Sequence, residues 1–416
     1  MVPISSATQD SIMTKCIDAN KALRYSNNGE VTLCCKSELL LDDANGNKCN
    51  ISTHDFSAAL NGRIATEIRN DLNNGVRHPN CKKCWDEEDA GIPSKRILDN
   101  ARAVEYWGED FLTDDIVEPV IVELNLGNLC NLKCRICGPW SSSKWVNEHY
   151  VVNTPVHLQT RENKKEYMKQ YKSLQGNFED DSLTWQHIED SLPSLKQIDI
   201  YGGEPFMVEK QWEVLQKSID RGYSKEQVLH FNTNTTIYSE EHVKILKQFK
   251  AVMISLSLDD IEDRFEFQRH PAKWDLVSGN ITKFLQLEAD NDNITVVACI
   301  TINNLNVFYL PEIIEHFNSM GLSYYANILH GPPHYNIKNL KQNLKDIVTA
   351  KYKEEIENSD PYKAGRLQQV MEFMNSVITT NNEWKNFLEF TAKKDAFRKE
   401  SFSSVFPEWS QIIENN

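Results

Sequence analysis

The chain has 416 residues, 40% of them apolar and 10% aromatic, enough to fill two or three cores and too apolar for wholesale disorder. A formal net charge of −15 argues against a general polyanion-binding surface, so nucleic acid is not an expected partner beyond a local basic groove. No stretch is long and apolar enough to span a bilayer, and the first ten residues lack the basic start and apolar core of a secretory leader; the expected setting is cytoplasmic, where disulfides are rare.

Ten cysteines in that setting, nine of them within the first 137 residues, call for a metal. In chain order Cys16 comes first, followed by a hairpin signal over 24–33 whose Asn28-Gly29 supplies the positive φ angles of a tight turn. The returning strand ends at Cys34-Cys35, so the hairpin can bring Cys16 and Cys34 together. Over 56–73, Ala59, Ile64, Ile68 and Leu72 recur at near-helical spacing with Gly75 as the stop, which predicts one helix. Cys81-Lys82-Lys83-Cys84 is a C-x2-C pair, a common bite for one metal centre, whereas Cys49 lies in a polar loop and is not expected to join it. Residues 1–100 therefore read as a cysteine-rich domain with too little core to stand without a metal staple, an iron–sulfur cluster or a structural zinc. The charged stretch 85–115 reads as helical, and 101–117 is the expected linker.

From residue 118 short strands alternate with helices, the pattern of a parallel sheet. Strands are predicted at 120–126, 196–201, 228–234, 251–258, 294–302 and 324–329. Helices are predicted at 208–221, with Val208, Trp212, Leu215 and Ile219 on one face, and after the N-cap Ser239 with Glu240 and Glu241 in its first turn. The gap from 140 to 195 holds an insertion expected to be helical, and its basic run 161–172 reads as a solvated helix face. Four strands share an asymmetry: Val252, Ile254, Leu256 and Leu258 alternate with Ser255, Ser257 and Asp259, and Ile198 and Ile200 with Asp199 and Tyr201. Leu229 and Phe231 alternate with His230, Asn232 and Asn234, and Val122, Leu124 and Leu126 with Glu123 and Asn125. Strands buried in apolar surroundings on both faces read instead as continuous apolar runs, so one face is expected to line a chamber that holds a ligand. Cys299, within Val296-Val297-Ala298-Cys299-Ile300, reads as a core residue. Residues 331–416 read as a helical extension, patterned only at Leu367, Val370, Phe373 and Val377.

Two motifs carry chemistry. Cys130-Asn131-Leu132-Lys133-Cys134-Arg135-Ile136-Cys137 follows the first predicted strand, and its C-x3-C-x2-C spacing folds three thiolates around one centre. Three thiolates satisfy three irons of a [4Fe–4S] cube and leave the fourth open, whereas a closed structural site takes four protein ligands. Gly202-Gly203-Glu204-Pro205 follows the second predicted strand; the glycines allow close backbone approach, and the glutamate offers an acceptor to an ammonium group.

Together these motifs resemble the radical S-adenosylmethionine (radical SAM) superfamily over roughly 118–330. The resemblance implies an α/β fold, a partial (β/α)6 TIM-like barrel. It implies that Cys130, Cys134 and Cys137 ligate the cluster, and that Ile136, Gly202, Gly203, Glu204, Asn234, Ser257, Asp259 and Arg269 contact SAM. Asp260 stands where relatives usually have glycine after the fourth strand. Residues 1–100 resemble the twitch form of the SPASM auxiliary-cluster domain: Cys16, twelve residues, Gly29, four residues, Cys34, then Cys81 and Cys84. In most such enzymes this domain follows the barrel, whereas here it precedes it. Cys35 is the alternative to Cys34. The implied cofactors are a SAM-binding [4Fe–4S] cluster, SAM and a second auxiliary [4Fe–4S] cluster, and the implied electron donor is a flavodoxin or ferredoxin.

What the resemblance implies is reductive cleavage of SAM and hydrogen abstraction from a peptide or protein side chain, or from a small carbohydrate or nucleotide-like molecule. A non-catalytic iron–sulfur or zinc protein is the competing expectation. His230, His330, His334 and Tyr335 lie near strand ends without an assigned role.

Overall fold

The computed structural model describes residues 14–89, 91, 93–113, 116–125, 127–172, 182–376 and 382–415. Leu126, Val377 and the first ten residues, on which expectations above rest, lie outside them. The strands are β1 (Ala22–Tyr25), β2 (Val31–Thr32), β3 (Ile121–Asn125), β4 (Gln197–Tyr201), β5 (Val228–Thr233), β6 (Ala251–Ser257), β7 (Ile294–Ile302) and β8 (Tyr324–Ile328). They form one eight-stranded sheet in the order β2-β1-β3-β4-β5-β6-β7-β8. β1 and β3 run parallel, as do β6, β7 and β8, while β1 and β2 form an antiparallel hairpin. Each predicted strand from 120 onward is present within a residue or two of its expected bounds, because apolar alternation bounded by turn residues is the strongest local signal for a strand.

The chain divides into two compact units, each discontinuous in sequence. The first comprises 1–125, 178–200 and 214–229. Its hairpin closes as expected: Gly29 has φ +80° and donates to Ser26 O at 2.9 Å. β1 then adds to β3 with Ala22 opposite Ile121 and Tyr25 opposite Leu124, and Ile17, Ala22, Ala103, Leu112, Val120 and Ile121 make a small shared core.

The helix predicted over 56–73 is two helices, Phe56–Leu60 and Arg63–Asn73. The apolar spacing is nearly continuous, yet Gly62 breaks it: a Cβ there would lie 1.7 Å from Asp42 O. Asp42 in turn accepts from Ile64 N at 2.9 Å, so a distant carboxylate restarts the helix. The expected linker at 101–117 begins inside a helix, Lys95–Trp107, that packs Ala103 into the core just described.

The second unit comprises 126–177, 201–213 and 230–416. The apolar face of β6 is fully covered, with Val252, Ile254 and Leu256 at most 1% exposed. Ser239 caps the helix Glu240–Leu246 by accepting from His242 N, as read from the sequence. The insertion is helical at Trp145–Asn153, Arg161–Lys172 and Ser182–Ser191, the last lying in the first unit.

The C-terminal extension is far better packed than its weak pattern suggests. Phe387, Phe406 and Trp409 are completely buried, Trp409 Nε1 donates to Asn304 O at 3.0 Å, and Tyr352 donates to Val307 O at 2.5 Å. Aromatic anchors spaced irregularly along several short helices bury area without giving a period to read.

Candidate functional site

The loop 130–137 has no regular hydrogen-bonded structure, so its shape is set by side chains and by neighbouring turns. Cys137 N donates to Cys134 O at 3.0 Å, Leu132 N points at Cys130 Sγ at 3.4 Å, and Asn128 Nδ2 closes the loop base on Pro139 O at 2.7 Å. Cys130 and Cys134 are buried and Cys137 half-buried. The Cys134 and Cys137 thiols are within hydrogen-bonding reach: Cys137 holds the Cys134 pKa below that of an ordinary thiol, with Arg269 helping, and the Cys137 pKa rises in turn. Burial pushes Cys130 up to about 12, with the Cys134 charge adding to it. Three thiols thus converge beside a buried guanidinium, a donor set suited to a soft metal centre, whose charge would reverse the burial penalty on each thiolate.

The segment 202–204 is bound to the base of this loop. Glu204 N donates to Leu129 O at 2.8 Å. Gly202 adopts φ +124°, open only to glycine, and a Cβ on Gly203 would lie 2.1 Å from Leu129 O. Both glycines are therefore explained by backbone approach.

The Glu204 carboxylate accepts three hydrogen bonds within the protein. Oε1 accepts from Phe206 N at 3.0 Å and Thr233 Oγ1 at 2.8 Å, and Oε2 accepts from Asn234 N at 2.7 Å. Burial raises its pKa to about 7 against those bonds. Asn234 passes the tie onward, with Nδ2 2.7 Å from Asn131 Oδ1 and 3.9 Å from Cys130 Sγ.

Asp259 is 2.9 Å from Arg269 Nη2 and accepts from Thr301 N at 3.0 Å. Arg269 Nε is buried without a hydrogen-bond partner, as is Asn232 Oδ1. An unsatisfied buried donor beside three thiols is the kind of atom a ligand satisfies. Asp260, in the place of the expected glycine, is fully buried and accepts from Ile261 N, Arg264 and Gln268. Ile136 and Ser257 are half-buried.

The polar strand face is hydrogen-bonded across strands. Tyr201 Oη lies 3.1 Å from His230 Nδ1, His230 Nε2 lies 2.9 Å from Ser255 Oγ, and Tyr325 donates to Ser255 Oγ at 3.2 Å. Ser255 is completely buried, so at this depth the polar residues satisfy one another. Cys299 is a core residue as expected, accepting from Asn327 Nδ2 at 3.4 Å. His334 stacks on Phe390, His330 meets the edge of Phe373, and Tyr335 is buried; all three are packing residues of the extension.

In the first unit, Cys16, Cys34, Cys81 and Cys84 line one cavity, together with Asp18 and Lys95. Cys35 is exposed and does not line it, and Cys49 is buried elsewhere. Burial raises the Cys16 thiol well above its ordinary pKa, with Asp18, Cys81 and Cys84 adding to it; Cys81 is pushed up to about 12. The four cysteines that the resemblance implies thus line one cavity, and Cys35, the alternative to Cys34, does not.

The sequence reading missed the charged group behind this cavity. Lys95 lies 3.4 Å from Asp18 and 2.7 Å from Glu123, and is also paired with Asp99. Burial works against the Lys95 ammonium, but the carboxylates outweigh it and raise its pKa. Burial lifts Asp18 to about 8. Glu123, expected to line a chamber, is spent on this pairing. Apart from the helical pair Lys95 and Asp99, nothing in the local sequence links these residues.

Residues 124–317 match the model of a family described as the Radical SAM superfamily. No curated protein sequence matches the chain. Among solved structures it is similar to native anSMEcpe with bound AdoMet, at 13% identity and TM-score 0.37 over 57% of this chain and 58% of that one. It is also similar to Streptococcus suis SuiB bound to S-adenosylmethionine, at 13% identity and TM-score 0.36 over 82% and 69%. SuiB bound to its precursor peptide SuiA gives 14% identity and TM-score 0.35 over 83% and 70%. The chain spans little more than half the length of the first of these.

Proposed function

We propose, for a chain that carries a Radical SAM superfamily domain over residues 124–317 and is an enzyme of radical chemistry, that it oxidises or cross-links a peptide or protein side chain. In this reading Cys130, Cys134 and Cys137 would hold a [4Fe–4S] cluster and leave one iron open to SAM. Cluster and SAM, when bound, supply methionine and a 5′-deoxyadenosyl radical that removes hydrogen from the substrate. The observation that carries the reading is the tie from Glu204 N to Leu129 O and from Asn234 to Cys130, which holds the Gly-Gly-Glu segment against the cysteine loop.

The residues divide the work. Glu204 is fixed by three bonds within the protein and offers its remaining acceptor site to the methionine ammonium, while Asn234 ties this segment to Asn131 and Cys130 beside the ligand. Arg269, with its unsatisfied Nε, is the donor offered to the ligand, and Asp259 fixes its orientation through the 2.9 Å pair. Ser257, at the end of β6, and Ile136 complete the contact set. In this reading the strands β3 to β8 correspond to the partial barrel that the resemblance implies.

The second cofactor in this reading is an auxiliary [4Fe–4S] cluster held by Cys16, Cys34, Cys81 and Cys84 in a twitch-like domain, supported by the cavity they share. Four cysteines close that cluster to substrate, so its role is electron transfer or structural support. A flavodoxin or ferredoxin supplies the electron that starts each cycle. The peptide substrate rests on the likeness of the cysteine pattern to enzymes with SPASM and twitch domains.

Anaerobic reconstitution with iron, sulfide and SAM tests the whole. The expected result is 5′-deoxyadenosine on reduction, abolished by Cys134→Ala and still detectable in Cys81→Ala. Zinc in place of iron, or no 5′-deoxyadenosine, would overturn the reading. Equal loss in the two variants would refute a separate auxiliary centre. A mass-spectrometric product search then separates a peptide substrate from a small carbohydrate or nucleotide.

A further inference from the structure

The extension after residue 331 has no part in the chemistry above, yet its helix Glu383–Arg398 touches the cysteine loop at consecutive points. Arg398 Nη2 donates to Lys133 O at 2.6 Å and Lys394 Nζ to Arg135 O at 2.9 Å. Between them, Trp145 Nε1 donates to Cys134 O at 2.9 Å. Three successive carbonyls of the loop are therefore held by side chains. The alternate amides are held too: Lys133 N donates to His270 O and Arg135 N to Gln268 O, each at 2.7 Å.

The loop's own side chains reach back. Arg135 is wholly buried, with Nη2 2.5 Å from Asp395 and 2.6 Å from Glu400, and its guanidinium lies 3.5 Å from the centre of the Phe267 ring. Glu148, also buried, joins Lys133 and Arg398 at 2.8 Å each. Lys394 makes a second bond to Tyr335 Oη at 2.9 Å. A segment without a ladder of its own is thus fixed on both sides of its backbone by groups up to 265 positions away.

We propose that the helix Glu383–Arg398 is a built-in clamp on the loop 130–137, with Lys394 and Arg398 as positioning residues that fix the spacing of the three cysteines. The inference rests on the reading that this loop carries the cluster, but the clamp itself is a property of the protein alone.

The test uses the full-length chain and two independent measurements on Lys394→Met, Arg398→Met and Arg398→Lys. In iron-free protein, hydrogen exchange at the amides of 131–137 should be about tenfold faster in both methionine variants. In reconstituted protein, the midpoint potential of the SAM-binding cluster should shift in both methionine variants and return towards wild type in Arg398→Lys, which restores a donor to Lys133 O. Unchanged exchange in both methionine variants would overturn the clamp. Faster exchange with an unchanged potential would overturn the positioning role of the two residues. If Arg398→Met does not fold, Lys394→Met with Tyr335→Phe decides the exchange question. A wild-type protein that binds no cluster would defeat the functional reading above and leave the exchange result standing.

Discussion

At the scale of single residues, the structure supplies bonding partners that spacing does not specify. Glu204 stands where the sequence places it, but its carboxylate already accepts three bonds from 206, 233 and 234. A spacing can say that a carboxylate is near; it cannot say which donors reach it first. Cys34 and Cys35 show the same limit, since neighbours in a loop are equivalent on paper, and only the fold turns Cys34 to the cavity while Cys35 is exposed. Reconstituted wild-type protein should accordingly hold about eight irons, two cubes of four. Cys34→Ser should fall towards about four and Cys35→Ser should not change, as read by iron and sulfide analysis. The opposite order would move the ligand to Cys35.

At the scale of elements, strands were legible because period-two alternation between turn residues is local information, whereas helix breaks and loop shapes were not. Gly62 breaks an apparently continuous helix because Asp42, twenty residues earlier, occupies the space its Cβ would need. Gly203 is the corresponding case at the site. Gly203→Ala should push the segment from Leu129 O, with a cost of about 2–4 kcal/mol from strain and lost hydrogen bonds, and should abolish the spectral change of the cluster on adding SAM. Ser239→Ala removes only a helix cap, so it should cost about 1 kcal/mol and leave that spectral change intact. Denaturant unfolding and absorption spectroscopy on the two variants distinguish a site glycine from an ordinary structural residue.

At the scale of the molecule, the first unit sets a small apolar cluster beside a cysteine-lined cavity and buried charge. There a two-strand hairpin and a small cluster of Ile17, Ala22, Ala103, Leu112, Val120 and Ile121 lie beside a cavity lined by four cysteines and a buried group of three carboxylates and one lysine. Like charges held together in the protein interior favour unfolding unless something offsets them. Cluster binding to the folded state alone would do so. Calorimetry should therefore show an earlier unfolding step in iron-free protein than in reconstituted protein, and Cys81→Ala should lose most of the gain while keeping that of the SAM-binding loop. One transition at the same temperature with and without iron would refute the staple.

The sequence by itself determined the strands from 120 onward, the three-thiol loop and the Gly-Gly-Glu segment, because each is written in spacings of a few residues or in turn chemistry. Tertiary structure alone decided what those groups are bonded to. The Lys95 carboxylate cluster, the bonds of Glu204 and Asn234 and the grip of Lys394 and Arg398 on the loop 130–137 join residues mostly tens to hundreds of positions apart. Such pairings follow from which surfaces bury against one another, and no local period encodes them.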